Sequence, residues 1–488
     1  MTQPGAAAPA GAPREGQRTQ LDVEGLDPNG DGVARTADNF VVFVEGGLPG
    51  DRVEAEITHR ARRFARARLS RLVRPSPHRV AVPCAVAEEC GGCPLMGLAY
   101  PAQLDARRKL VVDALERIGG VREAAGLVRP VRGMARPWEY RNKAQYPVAR
   151  DASGRLAIGF YRRRSHEVVP ALDCRVQHPT NVRLAAAARD ALEELGLAPY
   201  DESTGRGLVR HVTARVSRAT GEGLLVVVTA GEPLPAPGVL DELARRVKAR
   251  VPELVGVVQN INPRRTNVIL GRENRLVWGR DWIEERVGHL RLRLYATAFF
   301  QVNTEQAGVL YGEVRERIRA YQEERGRTLP SGRLLDLYCG VGGIGLSAAD
   351  LVGEVVGVEE VKDAVADAQA NASLNGIPNA RFVAGLVEEV LPQEAAAAAA
   401  SGEPLMVVVD PPRKGLDVRV VETLAKTPPD LFVYVSCSPA TMARDLRQFM
   451  EKAAAQGARY RWGPVQPVDM FPHTAHVEAV THLIRVKG

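Results

Sequence analysis

The sequence predicts a multidomain chain: an N-terminal all-β barrel, a strand-rich central domain, and a C-terminal α/β domain built on a doubly wound, mostly parallel sheet. Three observations carry that expectation. Residues 17–76 hold five short β-rich runs separated by Gly- and Pro-rich turns. From about residue 290 onward, apolar strand-like runs alternate with helical stretches, as a parallel sheet with crossover helices requires. At 488 residues the chain is too long for one ordinary domain, and length alone suggests about three. Hydrophobic residues make up 45% and charged residues 25%, the balance of a globular protein with ample core.

Residues 1–16 are rich in Ala, Pro and Gly and lack the apolar centre of a signal peptide, so a disordered tail on a cytoplasmic protein is expected there. No apolar run approaches the roughly 20 residues that a membrane helix needs. The Ala run at 395–400 is flanked by Glu394 and Glu403, and no membrane partner is expected. In 17–76 the runs at 20–25, 32–35, 39–45, 51–58 and 66–74 are separated by Pro28-Asn29-Gly30-Asp31-Gly32 and Gly46-Gly47-Leu48-Pro49-Gly50. Five short strands with basic faces suit a barrel of the oligonucleotide-binding (OB) kind. From Thr58 to Arg79 there are eight arginines and no acid. Such a stripe attracts phosphate backbones, although a solvated strand face gives the same pattern. The net charge of +7 and pI near 9.2 permit a polyanionic partner without identifying it.

Residues 77–288 form the central region. Cys84-x5-Cys90-Gly-Gly-Cys93, with the distant Cys174, supplies four candidate ligands for zinc or an iron–sulfur cluster. A zinc ribbon shows two Cys-x2-Cys pairs, and only one is present; four unrelated thiols are the plain alternative. Without a secretion signal, clustered cysteines point to metal or catalysis before disulfides. A helix is expected over 102–118, with Leu104, Leu110, Val111, Ala114, Leu115 and Ile118 on the face that docks on the C-terminal domain. Residues 128–285 read as strand-rich, with basic clusters at Arg141-Asn142-Lys143, Arg162-Arg163-Arg164 and Arg264-Arg265.

In 289–488, strands are expected at 333–337, 355–358, 380–383, 406–409 and 431–436. Asp336-Leu337-Tyr338-Cys339-Gly340-Val341-Gly342 ends the first with an acid before a glycine turn, where a backbone without Cβ can approach a ligand closely. The Gly340, Gly342, Gly345 spacing also fits a loose dinucleotide fingerprint. The acid-before-glycine order and Glu359 at the next strand end favour S-adenosylmethionine over a nicotinamide cofactor. Asp410-Pro411-Pro412-Arg413-Lys414-Gly415 must turn away from the ladder, because Pro-Pro cannot continue it. Cys437 follows the next strand and is expected at the same sheet edge. Glu478 lies in the His-containing stretch Asp469–Glu478, just before a terminal strand at 479–485. Each has a plain alternative, a buried structural thiol and a solvated acid.

Three segments together resemble the RNA uracil-C5 methyltransferase family: Asp410-Pro-Pro-Arg-Lys-Gly, Val435-Ser-Cys-Ser-Pro-Ala-Thr-Met-Ala-Arg-Asp445 and Asp469-x-Phe-Pro-x-Thr-x-His-x-Glu478. The layout of 32–53 resembles the TRAM domain of RNA-modifying enzymes, so the likeness spans nearly the whole chain. It implies a Rossmann-like S-adenosylmethionine-dependent domain, with Cys437 as nucleophile and Glu478 as general base. Gln301, Tyr338, Glu359 and Asp410 match the family's cofactor-binding positions; Asp336, Gly340 and Gly342 join them from the reading of the turn. The chain departs where relatives can carry a polar cofactor contact after Phe382: it has Gly385-Leu386. The resemblance further implies a [4Fe–4S] cluster on Cys84, Cys90, Cys93 and Cys174, and a monomer acting on RNA. That RNA is expected to be 23S rRNA, with the tRNA T-loop as runner-up. RNA cytosine-C5 methylation shares the addition chemistry, but commonly places a cysteine after the proline where this chain has Pro412-Arg413. A non-catalytic iron–sulfur RNA-binding protein would not need the intact Cys437, Glu478 and glycine turn.

Overall fold

The computed structural model describes residues 13–231 and 236–486. The tail expected over 1–16 therefore lies outside the described residues except for its last four. Strands Arg18–Leu26, Gly32–Arg35, Val41–Glu45, Arg52–Arg60 and Phe64–Arg74 close into a barrel. The first and fourth pair antiparallel to close it, and the third and fifth run parallel. Alternate residues turn inward, including Leu21, Val23, Val42, Val44, Val53 and Ile57, with alanines 34, 55, 65 and 67 filling the narrow interior.

Only part of the arginine stripe is free to meet phosphate. Arg62, Arg63, Arg68 and Arg74 are exposed, and none has an acidic partner among the described residues. Arg66, Arg71 and Arg79 are held by Asp31, Glu54 and Asp51. The Arg162-Arg163-Arg164 cluster is also largely consumed within the protein. Asp31, 1% exposed, takes Arg163 at 2.7 Å, Arg164 at 2.9 Å and Arg66 at 3.2 Å. Glu45 pairs with the first two. A buried carboxylate must be compensated, so these cations lock the barrel to the central domain.

The central sheet has seven strands in the order Glu273–Gly279, Leu254–Ile261, Gly223–Thr229, Val209–Val216, Lys143–Arg150, Leu156–Tyr161, Val168–Pro170. Helices Pro179–Glu194 and Val239–Arg250 cover one face. From the other face Leu224, Val226, Val228 and Val258 enter a core shared with the helix Thr304–Glu324 and the C-terminal sheet. The expected boundary at 288/289 falls in the turn of a hairpin, Trp282–Val287 with Leu290–Tyr295. Both of its strands pack in that same core, through Ile283, Val287, Leu290, Leu292 and Leu294.

The C-terminal sheet runs Ala380–Ala384, Glu354–Glu359, Arg333–Leu337, Leu405–Val409, Leu431–Ser436, Glu478–Val486, Arg459–Trp462, with Gln466–Val468 also paired to Glu478–Val486. The first five strands are parallel and near-continuously apolar because both faces are covered. Chain order reverses between Arg333–Leu337 and its neighbour Leu405–Val409, and the crevice at such a switch point is where open α/β sheets bind ligands.

The helix expected over 102–118 spans Tyr100–Arg117, and Val111 and Leu115 sit in the C-terminal core. The buried stripe, however, is Gln103, Arg107, Val111, Leu115, while Ile118 is 38% exposed. Its first half is polar because Arg107 and Asp469 form an ion pair at 3.2 Å with both side chains fully buried. Arg107→Ala is expected to destabilise the fold by about 3–5 kcal/mol by stranding the buried carboxylate. Urea unfolding measures this, and a loss below about 1 kcal/mol would contradict the burial. Among the described residues no helix is long and apolar enough to cross a membrane.

Candidate active site

Four strand ends converge at the switch point. At the first, Asp336 is fully buried and its Oδ2 accepts from the Gly345 amide at 2.8 Å, which ties the strand to the helix Gly343–Ser347. The intervening turn needs its glycines. Gly342 has φ +81°, and a Cβ there would meet Ala368, Leu346 and Phe382 at 3.1 Å. A Cβ on Gly343 would strike the Tyr311 hydroxyl beneath it. Tyr338 also takes a left-handed φ of 65°, a sparsely populated region for a bulky residue. At the second strand end, Glu359 receives the Gly340 amide at 3.1 Å and the Val361 amide at 3.0 Å, so its carboxylate braces the glycine turn.

Asp410 follows the strand Leu405–Val409, and its loop is set from behind by Asp445. The Asp445 carboxylate accepts from the Leu416 amide and the Tyr434 hydroxyl, each at 2.7 Å. It crowds Gly415, whose φ of +82° excludes a Cβ cheaply. Asp336 is pushed up to about 7, by burial first and then by the charges of Asp410 and Glu359. Asp410 is likewise raised by burial. A crevice with this surplus of buried negative charge suits a cationic ligand.

Cys437 and Glu478 come from neighbouring strand ends. Leu431–Ser436 and Glu478–Val486 run antiparallel with Ser436 opposite Ala479, so Cys437, one residue past its strand, and Glu478, the first residue of the other, emerge at the same end of the pair. Burial pushes the Cys437 thiol up to about 11, with Glu478 and Asp410 adding to the rise and Arg413 opposing it. Glu478, 3% exposed, is raised by burial and by Asp410, against Arg413, and its Oε2 has no partner among the described residues. A thiol and three carboxyl groups, those of Asp336, Asp410 and Glu478, thus gather at one edge of the sheet.

Gln301, 9% exposed, lies in the approach to the helix Thr304–Glu324, where Asn142 donates to its backbone oxygen at 2.9 Å. Leu386 caps the helix Val387–Ser401 as an exposed apolar residue, so it brings no polar side chain to the crevice. Sequence reasoning gave Arg413 no role, yet its charge opposes the raised acidities of both Cys437 and Glu478. It also missed Gln103 and Arg107, which hold the loop before Glu478. A polar pair at i, i+4 on an otherwise apolar helix face was their only trace.

Cys84, Cys90, Cys93 and Cys174 line one small cavity with Phe160 and Met96 among its apolar walls. Burial pushes the Cys93 thiol up to about 12, and its three neighbours add to the rise. Four sulfur donors that repel one another as thiolates fit a thiophilic metal or cluster. Among the described residues no group of three or more His, Cys, Asp or Glu is already arranged as a metal-binding set.

The fold and crevice define an S-adenosylmethionine-type methyltransferase domain carrying an RNA-binding barrel. The family model described as tRNA (uracil-5-)-methyltransferase matches residues 265–486, and that of the TRAM domain matches 14–70. The chain is 40% identical to an uncharacterized RNA methyltransferase of Halalkalibacterium halodurans, over 95% of this chain and 96% of that one. It is also 40% identical to one of Gloeobacter violaceus, over 97% and 98%. The Pyrococcus abyssi tRNA (uracil-54, C5)-methyltransferase, solved with S-adenosyl-L-homocysteine, superposes with a TM-score of 0.71 at 26% identity, over 96% of this chain and 100% of that one. The chain belongs to the RNA uracil-5-methyltransferase family and is an S-adenosylmethionine-dependent enzyme.

Proposed function

We propose that the enzyme methylates carbon 5 of a 23S rRNA uridine through a covalent adduct on Cys437. The observation that supports this reading is the emergence of Cys437 and Glu478 from the same end of two paired strands, beside Asp410. Carbon 5 of uracil is a poor nucleophile. Addition of the Cys437 thiolate to carbon 6 forms an S–C6 bond and moves the ring's π electrons so that carbon 5 can attack an electrophilic methyl group. S-adenosylmethionine supplies that methyl group and a positive charge. Glu478 then removes the proton from carbon 5, the C5–C6 double bond re-forms, and the S–C6 bond breaks. Glu359 would hold the ribose hydroxyls. The amides of the Gly340–Gly342 turn would take the amino-acid carboxylate, and Asp336, Asp410, Tyr338 and Gln301 complete the cofactor set. Asp410 and its acidic neighbours suit the sulfonium charge.

The target base must leave its stack to reach Cys437. The exposed Arg62, Arg63, Arg68 and Arg74 would hold the flanking strand, with 77–288 forming the rest of the RNA surface. The enzyme is taken to act as a monomer. The choice of 23S rRNA follows the resemblance to family members that combine the barrel with the four cysteines, and those cysteines would hold a [4Fe–4S] cluster whose role is not redox, since the transfer exchanges no electrons. A tRNA T-loop uridine is the second reading, favoured by the Pyrococcus abyssi neighbour, which acts on tRNA. Incubation with labelled cofactor and separate rRNA and tRNA pools should place 5-methyluridine in 23S rRNA. Label only in tRNA would select the second reading, and 5-methylcytidine would overturn both. Anaerobically purified protein should contain iron and acid-labile sulfide; zinc in their place would overturn the cluster.

A further inference from the structure

The loop that leads into Glu478 is shaped from outside its own domain. Residues 470–474 have no regular secondary structure, so each carbonyl needs a partner. The Met470 oxygen accepts from Asn303 Nδ2 at 3.2 Å, and that of Phe471 from Arg107 at 3.3 Å as well as from the Thr474 hydroxyl and amide within the loop at 2.8 and 3.2 Å. The Pro472 oxygen accepts from the Tyr140 hydroxyl at 3.1 Å. The His473 oxygen accepts from the Leu95 amide at 3.0 Å. The Thr474 oxygen takes Arg107 again, at 2.6 and 2.9 Å. Four of these five grips come from residues 95–140.

That gripping segment is continuous with the cysteine site. Leu95 lies two residues after Cys93. Tyr140, fully buried, shares a small core with Met96 and Val176, against which Cys84, Cys93 and Cys174 pack. The turn itself is held in an unfavourable shape, with His473 at φ 69°. Trp138 stacks on its imidazole at 4.0 Å, and Gln103 Oε1 accepts from its amide at 3.0 Å. Cys437 stands apart from this system. Its strand end is fixed by Ser436 and Ser438, and the Asp410 loop by Asp445, all within the C-terminal domain. The sheet fixes the Glu478 backbone, but its Oε2 has no partner among the described residues. Glu478 follows the gripped turn by only four residues, and between them His476 meets Arg413 at 3.3 Å, the cation whose charge acts on Glu478.

We propose that the four-cysteine segment anchors the general base: through Leu95 and Tyr140 it sets the Pro472–His473 turn and hence Glu478, leaving the strand end that carries Cys437 independent of it. The proposal rests on Glu478 being the base that resolves the adduct. Damage to the anchor then slows release of the methylated RNA while leaving RNA binding and adduct formation nearly intact.

The test uses full-length holoenzyme carrying Tyr140→Phe, which keeps the ring and loses the bond to Pro472. Expected are an about 10-fold slower release, visible as SDS-stable protein–RNA adduct on uridine RNA, with trapping by 5-fluorouridine RNA and RNA affinity both within about twofold of wild type. Equal loss of trapping and release, or no change in either, overturns the proposal. A second readout needs no turnover: in Cys93→Ser, amide exchange over 470–477 should rise about 10-fold or more while 431–436 stays protected. Equal protection in both segments, or loss in both, also overturns it. Glu478→Gln is the control, since failure of that variant to accumulate adduct refutes the base assignment and not the anchoring seen by exchange.

Discussion

Cys437→Ala is expected to abolish methyl transfer, by at least about 10³-fold, and to prevent covalent trapping by 5-fluorouridine RNA. The size follows from the chemistry, because without an S–C6 bond carbon 5 never becomes nucleophilic. Folding should be unaffected, since Cys437 lies outside the three large cores and the removed sulfur is only half-buried. Cofactor affinity should also be retained, because the glycine turn is braced by Glu359 and Asp336. A variant that still methylates at more than about one-tenth of the wild-type rate would refute the nucleophile. Without bound cofactor the thiol is a poor nucleophile. Burial and two neighbouring carboxylates push it up to about 11, so it is protonated near neutral pH.

Glu478→Gln should have the opposite signature: adduct forms and accumulates, and turnover falls by about 10²–10⁴-fold because glutamine cannot accept the carbon 5 proton. Quantifying SDS-stable adduct on uridine RNA measures this, and free turnover would rule Glu478 out. The same variant carries a pH prediction. The Glu478 carboxylate raises the Cys437 thiol, and it is ionised over the high range in which that thiol titrates. Neutral glutamine removes that repulsion, so the midpoint of iodoacetamide alkylation at Cys437 should move to lower pH. An unchanged or higher midpoint would mean that the two side chains do not sense one another.

Both variants touch residues that were visible in the sequence, for a local reason. The strands Arg333–Leu337 and Leu431–Ser436 fall where their apolar runs predict, and the glycine turn and Pro411-Pro412 mark where the chain leaves the sheet. The five barrel strands were legible as β-rich runs between Gly- and Pro-rich turns, to within about two residues at their ends. Gln301 was singled out only through family likeness, because its setting depends on Asn142, which precedes a strand far away in the chain. The 288/289 boundary was misleading because a hairpin turn looks like a linker until its two strands are seen in one core.

What the sequence determined by itself was the order of the domains, the strand ends that carry Asp336, Glu359, Asp410 and Cys437, and the family to which they belong. These depend on neighbours within a few residues, where periodicity and turn chemistry act. Tertiary structure decided where the charges went. Arg163 and Arg164 stood in the sequence only as part of a basic cluster, and in the fold they neutralise Asp31 more than a hundred residues away. Arg107 interrupts an apolar helix face because Asp469, from the loop before Glu478, is buried against it. Buried charge must find its counter-charge wherever the fold brings one, and no local pattern records that distance.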